Sequence, residues 1–404
     1  MRAGAAFVLV IFGALSHPAA AAGTPTPSEM ADLGRQLFFD ESLSASGRQS
    51  CASCHNPQHA YGPPNARSVQ LGGARLQTPG LRTVPSLRYT LARTPRWFKE
   101  YQANEVERLI ETDSVPTGGF GWDGRFDTLR EQARFPLLAA NEMGNANVAA
   151  VAAKLRRALY ADRLHRLAGD NAMANDGALL RFALAALERF ELDDPSFAPY
   201  TSKFDRYLDG KSALSAPERR GLDLFNDPRR GNCASCHLSG KGADGSHPLF
   251  TDFGFQALGV PRNPEIPANQ DPRHFDMGLC GPLRSDQPNL RYCGFFKTPT
   301  LRNVAARGAL FHNGRFHDMH EALRFYVQRD VDATRWYPRI QGRLQIYDDL
   351  PESLRVNVDL IDSPLDRKPG QQPAWSEADI DDVAAFLRTL TDEDVRAVAS
   401  RARH

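Results

Sequence analysis

Hydrophobic side chains recur at helical spacing in several separate stretches, and this pattern predicts a mainly helical protein. Residues 30–39 place Leu33 and Leu37 on one face of a predicted helix. Two longer Ala- and Leu-rich stretches, 148–167 and 177–192, have the same spacing, in which positions three and four apart share a face. We expect them to pack as helices between the two halves of the chain.

Capping signals mark the starts of further helices. Ser215 and Glu218 fit a capping box, in which each side chain bonds the backbone N–H of the other residue. They predict a helix that runs through Phe225. Helices are also predicted over 317–327 and after Ser376.

Proline and glycine interrupt the helical pattern elsewhere. An amphipathic helix is expected from about Phe126 to about Arg134, because Pro136 disfavours helical geometry in the residue before it. Residues 56–121 contain many Gly and Pro and little periodicity, so they predict irregular chain. Strand signals are sparse throughout. The predicted fold class is therefore all-α.

The pentapeptide CASCH occurs twice, at residues 51–55 and 233–237. C-x-x-C-H is the attachment signature of c-type haem: two thiols form thioether bonds to the vinyl groups, and the adjacent imidazole ligates iron. A thioredoxin-like motif has no use for the histidine, and a zinc site needs four ligands. The sequence therefore predicts two covalent haems, held by Cys51, Cys54 and His55 and by Cys233, Cys236 and His237.

Similar segments surround both motifs. The pattern G-x-x-L-F occurs at 34–38 and 221–225, P-[ST]-L-R at 85–88 and 299–302, and G-R-F at 124–126 and 314–316. We predict two c-type cytochrome domains related by internal duplication, each wrapped around one covalent haem. The predicted divisions are a signal peptide at 1–22, an N-terminal domain at 23–205 with the first haem, and a C-terminal domain at 206–404 with the second haem.

The G-R-F match predicts which residue lies on the side of each iron opposite its histidine. Asn313 aligns with Asp123, an offset of 190, and the same offset aligns Tyr326 with Pro136. Proline cannot ligate iron, so the first haem is expected to be five-coordinate or to hold water, which lets peroxide bind. A tyrosinate from Tyr326 would fill the sixth position of the second haem and favour its ferric and higher states.

Three other side chains compete with Tyr326 as this ligand. Met319 lies seven residues earlier on the same predicted helix face, and Met277 and His312 are also available. Most methionines at helical spacing are core residues, and the duplication favours Tyr326. No histidine occurs within residues 60–164 to block the first haem.

Charge and composition narrow the class of partner. The 404 residues include 49 basic and 48 acidic side chains, and the formal charge of +1 gives no global field for nucleic acid or membrane. An apolar run at 3–15, followed by alanines at 19–22, is typical of a signal peptide, and no later stretch approaches about 18 apolar residues. We expect a periplasmic protein without a membrane span after signal cleavage.

Two cysteines remain outside the CASCH motifs. Cys280 and Cys293 lie in a Gly- and Pro-rich segment at 278–294. In an oxidising compartment, an even number of remaining cysteines favours a disulfide rather than two free thiols. This disulfide would close a surface loop. Such a closure contributes about 3 kcal/mol in the chain-entropy account.

Together these residues resemble the bacterial di-haem cytochrome c peroxidase and MauG superfamily over nearly the whole mature chain. The resemblance implies that Gln132 orients peroxide, that Glu142 moves protons for O–O heterolysis, and that Trp122 couples the two irons electronically. Besides both CASCH motifs and Pro136, it rests on the segments 37–40, 122–125, 131–133, 142–143, 299–304 and 311–314.

Two departures from the peroxidases of this superfamily resemble its MauG-like branch. The peroxidases have Met where Tyr326 stands. They also carry a His that blocks the reactive haem until the other haem is reduced, and that His is missing here. The branch implies that diferric enzyme and H2O2 give a shared bis-Fe(IV) state, which removes electrons from an aromatic residue, expected to be Trp, of a partner protein.

Further segments are similar to the MbnH-type di-haem enzymes, which are associated with copper homeostasis. Those enzymes oxidise a tryptophan of a copper-binding partner, MbnP, towards kynurenine. The similar segments are 280–282, 292–294, 329–330 and 336–338.

The family also binds Ca2+ between its domains, through an Asn side chain and backbone carbonyls. Here the Asn position is Tyr89. Carbonyls near Arg307 and Ala309 would then supply the ligands, since a carbonyl ligand does not depend on side-chain type. The sequence leaves calcium open.

Two other functions compete with oxidation of a partner protein. A cytochrome c peroxidase would reduce H2O2 with electrons from small cytochromes or cupredoxins, and a non-enzymatic di-haem carrier would only pass electrons. The open position at Pro136 disfavours the carrier, and the missing blocking His disfavours the peroxidase. In the favoured reading, candidates for a surface relay of the oxidising equivalent are Trp97, Trp336 and Trp375.

Overall fold

The structure is a computed structural model that describes residues 24–97, 116–287 and 289–395. Over these residues the chain is mostly helical, which confirms the predicted class. The α-helices are α1 Pro27–Phe39, α2 Cys51–Cys54, α3 Leu129–Leu138, α4 Val148–Leu155, α5 Ala161–Ala174, α6 Asp176–Asp193, α7 Lys203–Leu208, α8 Ala216–Asn226, α9 Met319–Gln328 and α10 Glu377–Arg388.

Within the same ranges, the strands are two residues long and form three antiparallel pairs. The pairs are β1 Leu71–Gly72 with β2 Thr78–Pro79, β3 Phe255–Gln256 with β4 Phe296–Lys297, and β5 Arg339–Ile340 with β6 Arg343–Leu344. The predicted signal peptide lies outside the described residues. In the part of the chain that the structure describes, no helix has both the length and the apolar composition that crossing a membrane requires.

Capping side chains start two helices where the sequence signals them. The Ser215 N–H donates to the Glu218 carboxylate at 2.6 Å and starts α8. Ser376 and Asp379 form the equivalent box at the start of α10. Each box satisfies backbone N–H groups that have no partner inside the helix.

The prediction for the helix around Pro136 is wrong at both ends. α3 begins directly after its cap Thr128, not near Phe126, and it continues past Arg134 with Pro136 inside it. The proline lacks the N–H that would bond the Gln132 carbonyl. Only two helical residues follow the proline, so the lost bond falls in the last turn, where α3 tolerates it.

Residues 148–167 form two helices rather than one continuous stretch. α4 ends at Leu155, and a turn that carries the exposed Leu159 leads into α5. α7, which spans six residues, was not predicted, because so short a segment shows little periodicity.

Buried hydrophobic side chains gather in two large clusters that divide the chain near residue 200. One cluster contains buried side chains from Leu33 to Phe197, and the other contains those from Phe204 to Leu390. The first is built around the packing of α1 on α6, and the second around that of α8 on α10.

A glycine permits each of these helix crossings. A Cβ on Gly34 would lie 1.9 Å from the carbonyl oxygen of Ala186 in α6. One on Gly221 would lie 2.0 Å from the carbonyl oxygen of Asp382 in α10. Neither crossing has room for a side chain, so the glycine of each G-x-x-L-F segment is required for close packing.

The two P-[ST]-L-R segments also make matching contacts. The Ser86 hydroxyl donates to the Ala60 carbonyl at 2.6 Å, and the Thr300 hydroxyl donates to the Leu249 carbonyl at 2.7 Å. In both halves this hydroxyl fixes the segment against the chain that follows a CASCH motif.

A buried polar network joins the two halves. Asp392, which follows α10, accepts from the Arg88 guanidinium at 2.9 Å and from the Tyr89 hydroxyl at 2.6 Å. It also accepts from the Asn303 amide at 2.7 Å. The several bonds compensate the desolvation of this carboxylate, so the segment after α10 anchors residues of the first half.

Candidate functional site

The first CASCH motif forms the short helix α2 and its C-terminal residue. The His55 Nδ1 lies 3.1 Å from the Tyr61 carbonyl oxygen. A carbonyl only accepts, so Nδ1 carries the hydrogen and the lone pair on Nε2 is available to a metal. Burial lowers the pKa of His55 to about 4, which keeps the imidazole in its neutral, metal-binding form.

The second motif repeats this arrangement. The His237 Nδ1 lies 2.8 Å from the Phe250 carbonyl oxygen, and burial lowers the pKa of His237 to about 4. The four cysteines of the two motifs are free thiols, available for thioether bonds. Both motifs therefore offer the donor set that haem c requires.

A largely apolar cavity of about 330 Å³ lies beside the second motif. Cys233, Cys236 and His237 line it, and so do Met319 and Tyr326 from α9. Apolar walls with a few polar groups suit a macrocycle with one axial imidazole. The residues present fit a haem at this motif.

Tyr326 and Met319 both line this cavity, but they are two helical turns apart. Seven residues correspond to about 10 Å along a helix axis, so a single iron can take only one of them. Burial raises the pKa of the Tyr326 phenol, so its ionisation needs a nearby cation such as ferric iron. Of the other two candidates, Met277 does not line the cavity. His312 does line it, with its ring stacked on Phe296 at 3.4 Å.

Trp122 lies where the two halves meet. Its indole N–H donates to the Thr83 carbonyl at 2.7 Å, and the Thr83 N–H donates to the His312 carbonyl at 2.8 Å. The Trp122 carbonyl in turn accepts from the Lys297 N–H at 2.9 Å. These hydrogen bonds to both halves fix the position of Trp122. Trp122 also lines the cavity.

Gln132 and Pro136 are one helical turn apart on α3. Gln132 lines the cavity, whereas Pro136 does not. The Pro136 carbonyl accepts from the Met143 N–H at 3.0 Å, which folds the following loop back against the helix end. This fold brings Glu142, one residue earlier, close to α3.

Close backbone packing holds Glu142 in place. The Gly73 N–H donates to the Glu142 carbonyl at 2.6 Å. A Cβ on Gly72 would lie 2.3 Å from the Asn141 carbonyl oxygen, so only glycine permits this approach. The loop around Glu142 is therefore packed directly against β1, which contains Gly72.

The Glu142 carboxyl lies near the first motif and titrates near neutral pH. Burial raises its pKa to about 7, and the opposing charge of Arg125 does not cancel this shift. Its charge also raises the pKa of the Cys51 and Cys54 thiols, although their own burial has the larger effect. A carboxyl with a pKa near 7 can both accept and donate a proton at neutral pH.

The structure also describes the predicted disulfide and the three tryptophans predicted as relay candidates. Cys280 and Cys293 form a disulfide that closes their loop. Trp336 is buried among aromatic side chains, and Trp375 is buried where it lines the cavity. The Trp97 ring stacks under the Arg284 guanidinium at 3.8 Å.

The candidate calcium ligands that remain are backbone carbonyls. The Tyr89 hydroxyl is bonded to Asp392. Among the described residues, no group of three or more His, Cys, Asp and Glu side chains is arranged to hold a metal ion.

Sequence reasoning gave no role to the side chains of Lys297 and Arg307, which are among the charged residues that line the cavity. Burial lowers the pKa of Lys297 to about 7 and that of Arg307 to about 10. Neither belongs to a recognisable motif, so only the folded arrangement identifies them.

The comparisons with known proteins identify the family of the chain. A family model described as di-haem cytochrome c peroxidase matches residues 28–213. The chain is 32% identical over 395 residues to methylamine utilization protein MauG of Paracoccus denitrificans (strain Pd 1222), and the match covers 95% of each protein. The chain belongs to the di-haem cytochrome c peroxidase and MauG family. Membership makes it a di-haem peroxidase-type oxidoreductase and implies haem c cofactors.

One solved structure supports this membership, and a second shows the same fold. The diheme peroxidase BthA from Burkholderia thailandensis E264 superposes with a TM-score of 0.81 at 40% identity, over 94% of this chain and 89% of that one. A MauG-like protein associated with microbial copper homeostasis superposes with a TM-score of 0.60 at 23% identity, over 95% and 96% of the two chains. The second likeness shows the fold alone, so the predicted link to copper stays a prediction.

Proposed function

We propose that this protein is a periplasmic enzyme that uses H2O2 to oxidise an aromatic residue, expected to be Trp, of a partner protein. One observation carries the proposal: the two halves place different residues at corresponding positions. Pro136 cannot ligate iron, whereas Tyr326 lines the cavity together with His237. One haem is then open to peroxide, and the other is closed.

The proposed domains are 23–205 and 206–404, related by duplication, with one haem each. The matched glycines at the helix crossings and the matched Ser86 and Thr300 bonds support this division. So does the separation of the hydrophobic clusters near residue 200. In this proposal the cysteines of each motif attach the haem, and His55 and His237 ligate the irons.

Two side chains of the first half, those of Gln132 and Glu142, have separate roles in the proposal. The bound haems supply the redox chemistry and hold the oxidising equivalents. The Gln132 amide hydrogen-bonds peroxide and orients it. The Glu142 carboxylate accepts a proton from the bound peroxide and returns it to the departing oxygen, and its pKa of about 7 suits both steps.

Trp122 and Tyr326 serve the second part of the proposed reaction. Trp122 lies between the halves and is hydrogen-bonded to residue 83, so it provides an aromatic group between the haems. Tyr326 is the proposed sixth ligand of the second haem, with Met319 as the alternative. The partner is a periplasmic protein, and a copper-binding protein is the narrower candidate.

The second candidate function is that of a cytochrome c peroxidase, which would reduce H2O2 with electrons from a small redox protein. The matching family model, which is described as di-haem cytochrome c peroxidase, favours this function. It requires the protein to be inert towards peroxide until one haem is reduced. The absence of histidine from residues 60–164 argues against such a block.

The experiment that tests the proposal mixes fully oxidised protein with one equivalent of H2O2. Stopped-flow absorbance and Mössbauer spectroscopy then follow both haems. We expect a rapid reaction without prior reduction, with oxidising equivalents on both irons. A protein that reacts only after one haem has been reduced is a cytochrome c peroxidase, and this result contradicts the proposal.

A further inference from the structure

One charged side chain reaches from the second half of the chain into the first. The Arg307 guanidinium donates from Nη2 to the Val84 carbonyl at 2.8 Å. Its Nη1 lies 3.4 Å from where a Cβ on Gly62 would stand. Gly62 follows Tyr61, the residue whose carbonyl bonds His55. Arg307 therefore lies close to the first motif, and it also lines the cavity of the second.

This guanidinium differs from other arginines at the junction of the halves, because no carboxylate of the described residues pairs with it. Arg82 lies 2.8 Å from the Asp123 carboxylate, and Arg302 lies 2.8 Å from that of Asp205. For Arg307, burial lowers the pKa to about 10, with no acidic neighbour to oppose it.

Arg307 is partly buried. Withdrawing a cation from water without a nearby anion is costly, so such groups are normally paired or bound to a ligand. The ligand that belongs in this cavity carries anions of its own, since haem has two propionate carboxylates. The planar fork of a guanidinium matches a carboxylate with two parallel hydrogen bonds. A propionate would therefore satisfy both the charge and the remaining donors of Arg307.

We propose that the Arg307 guanidinium pairs with a propionate carboxylate of a bound haem, at the edge where the two haem sites face each other. This inference rests on the proposed function, because it requires both haems to be bound. Both haems carry the same carboxylates. The contacts with Val84 and Gly62 favour the haem held by His55, and the experiment measures the two haems separately.

The test is a spectroelectrochemical titration of the purified di-haem protein, in which each haem is followed at its own wavelengths. Arg307→Gln removes the charge, so the ferric form of the paired haem should gain stability. We expect its reduction equilibrium to shift at least tenfold, about 59 mV for one electron, towards the ferric form. Arg273→Gln removes the same charge from an exposed position and should leave both potentials unchanged.

The conservative variant, Arg307→Lys, provides an independent test even if Arg307→Gln fails to fold. Arg307→Lys keeps the charge but loses the fork, so the propionate should bind protons more readily. The potential of the paired haem should then depend more steeply on pH between about pH 6 and 8 than in the wild type. Potentials in Arg307→Gln that match those of Arg273→Gln would overturn the proposal. So would equal pH dependence in wild type and Arg307→Lys.

Two further measurements on the same preparations separate this inference from the proposed function. Haem content per chain and the reaction of wild type with peroxide are determined alongside the titration. A chain without two haems contradicts the proposed function and the Arg307 pairing together. Two haems that react with peroxide but do not respond to Arg307 contradict the pairing alone.

Discussion

The two halves of this protein hold their CASCH motifs in the same way and surround them with different chemistry. In each half a glycine lets two helices cross closely, and in each the motif histidine bonds a backbone carbonyl. The halves differ at Pro136 and Tyr326, which occupy corresponding positions. In the proposed function, the way of holding a cofactor stays constant while the facing residue sets the reaction.

The titrating groups differ in the same sense. The first motif has Glu142 nearby, with a pKa of about 7. Tyr326 lines the cavity of the second motif, and burial raises the pKa of its phenol. A carboxyl near neutrality suits proton transfer, whereas a phenol suits ligation only where a metal stabilises its anion.

Replacing Glu142 should have the largest effect on this contrast. We expect Glu142→Gln to slow the reaction of the oxidised protein with H2O2 by about 100- to 10,000-fold, the range typical of losing a proton-transfer group. The wild-type rate should rise with pH through about 7, because the carboxylate form accepts the proton. The variant should lose this dependence. Stopped-flow absorbance across pH measures both effects.

The exposed Glu352 provides the matched control for this substitution. Glu352→Gln changes the same charge away from both motifs and should react like wild type. If Glu142→Gln keeps the wild-type rate and pH profile, the proton-transfer role is wrong.

Replacing Tyr326 should change the second haem and spare the first. Tyr326→Phe removes the proposed oxygen ligand, so the absorption and EPR signals of one haem should change. Met319→Leu, in the same helix, should leave both spectra as they are. The reverse outcome, a change with Met319→Leu alone, would assign the ligand to Met319.

The glycine crossings test whether the two scaffolds are equivalent. Gly34→Ala and Gly221→Ala each force a methyl group against a backbone carbonyl, and overpacking of this kind typically costs about 1–3 kcal/mol. Denaturant unfolding should show a similar loss for both. Gly240→Ala, with no atom within 4 Å of the added Cβ, should be neutral. A loss confined to one crossing would break the equivalence.

Removal of calcium should have the smallest effect. The Tyr89 hydroxyl is bonded to Asp392, and the carbonyls that would be calcium ligands lie near the Arg307 cation. We therefore expect EGTA treatment to leave the haem spectra and the peroxide reaction unchanged. Loss of reactivity that added Ca2+ restores would show that carbonyl ligands alone hold the ion.

The sequence was most informative where local chemistry determines structure. Capping residues such as Ser215 and Ser376 predicted helix starts, because their side chains bond the backbone beside them. The family and the helical class followed from motifs and periodicity. The path of α3 through Pro136 did not, because its cost depends on how close the proline lies to the helix end.

The candidate site divides in the same way. Cys and His spacing predicted the two haem motifs, and the repeat predicted the contrast between Pro136 and Tyr326. The importance of the Arg307 side chain was not predicted. It stands out because it lacks a carboxylate partner, and this depends on residues distant in sequence. Glu142 was predicted through the resemblance, but its raised pKa was not, because that shift comes from burial in the folded chain.

The contrast between an open and a closed haem is the central claim, and EPR of the resting oxidised protein tests it most directly. We predict two ferric signals of equal amount, one high-spin from the haem facing Pro136 and one low-spin from the haem ligated by Tyr326. Two low-spin signals, which would mean that both irons are closed, would contradict the account.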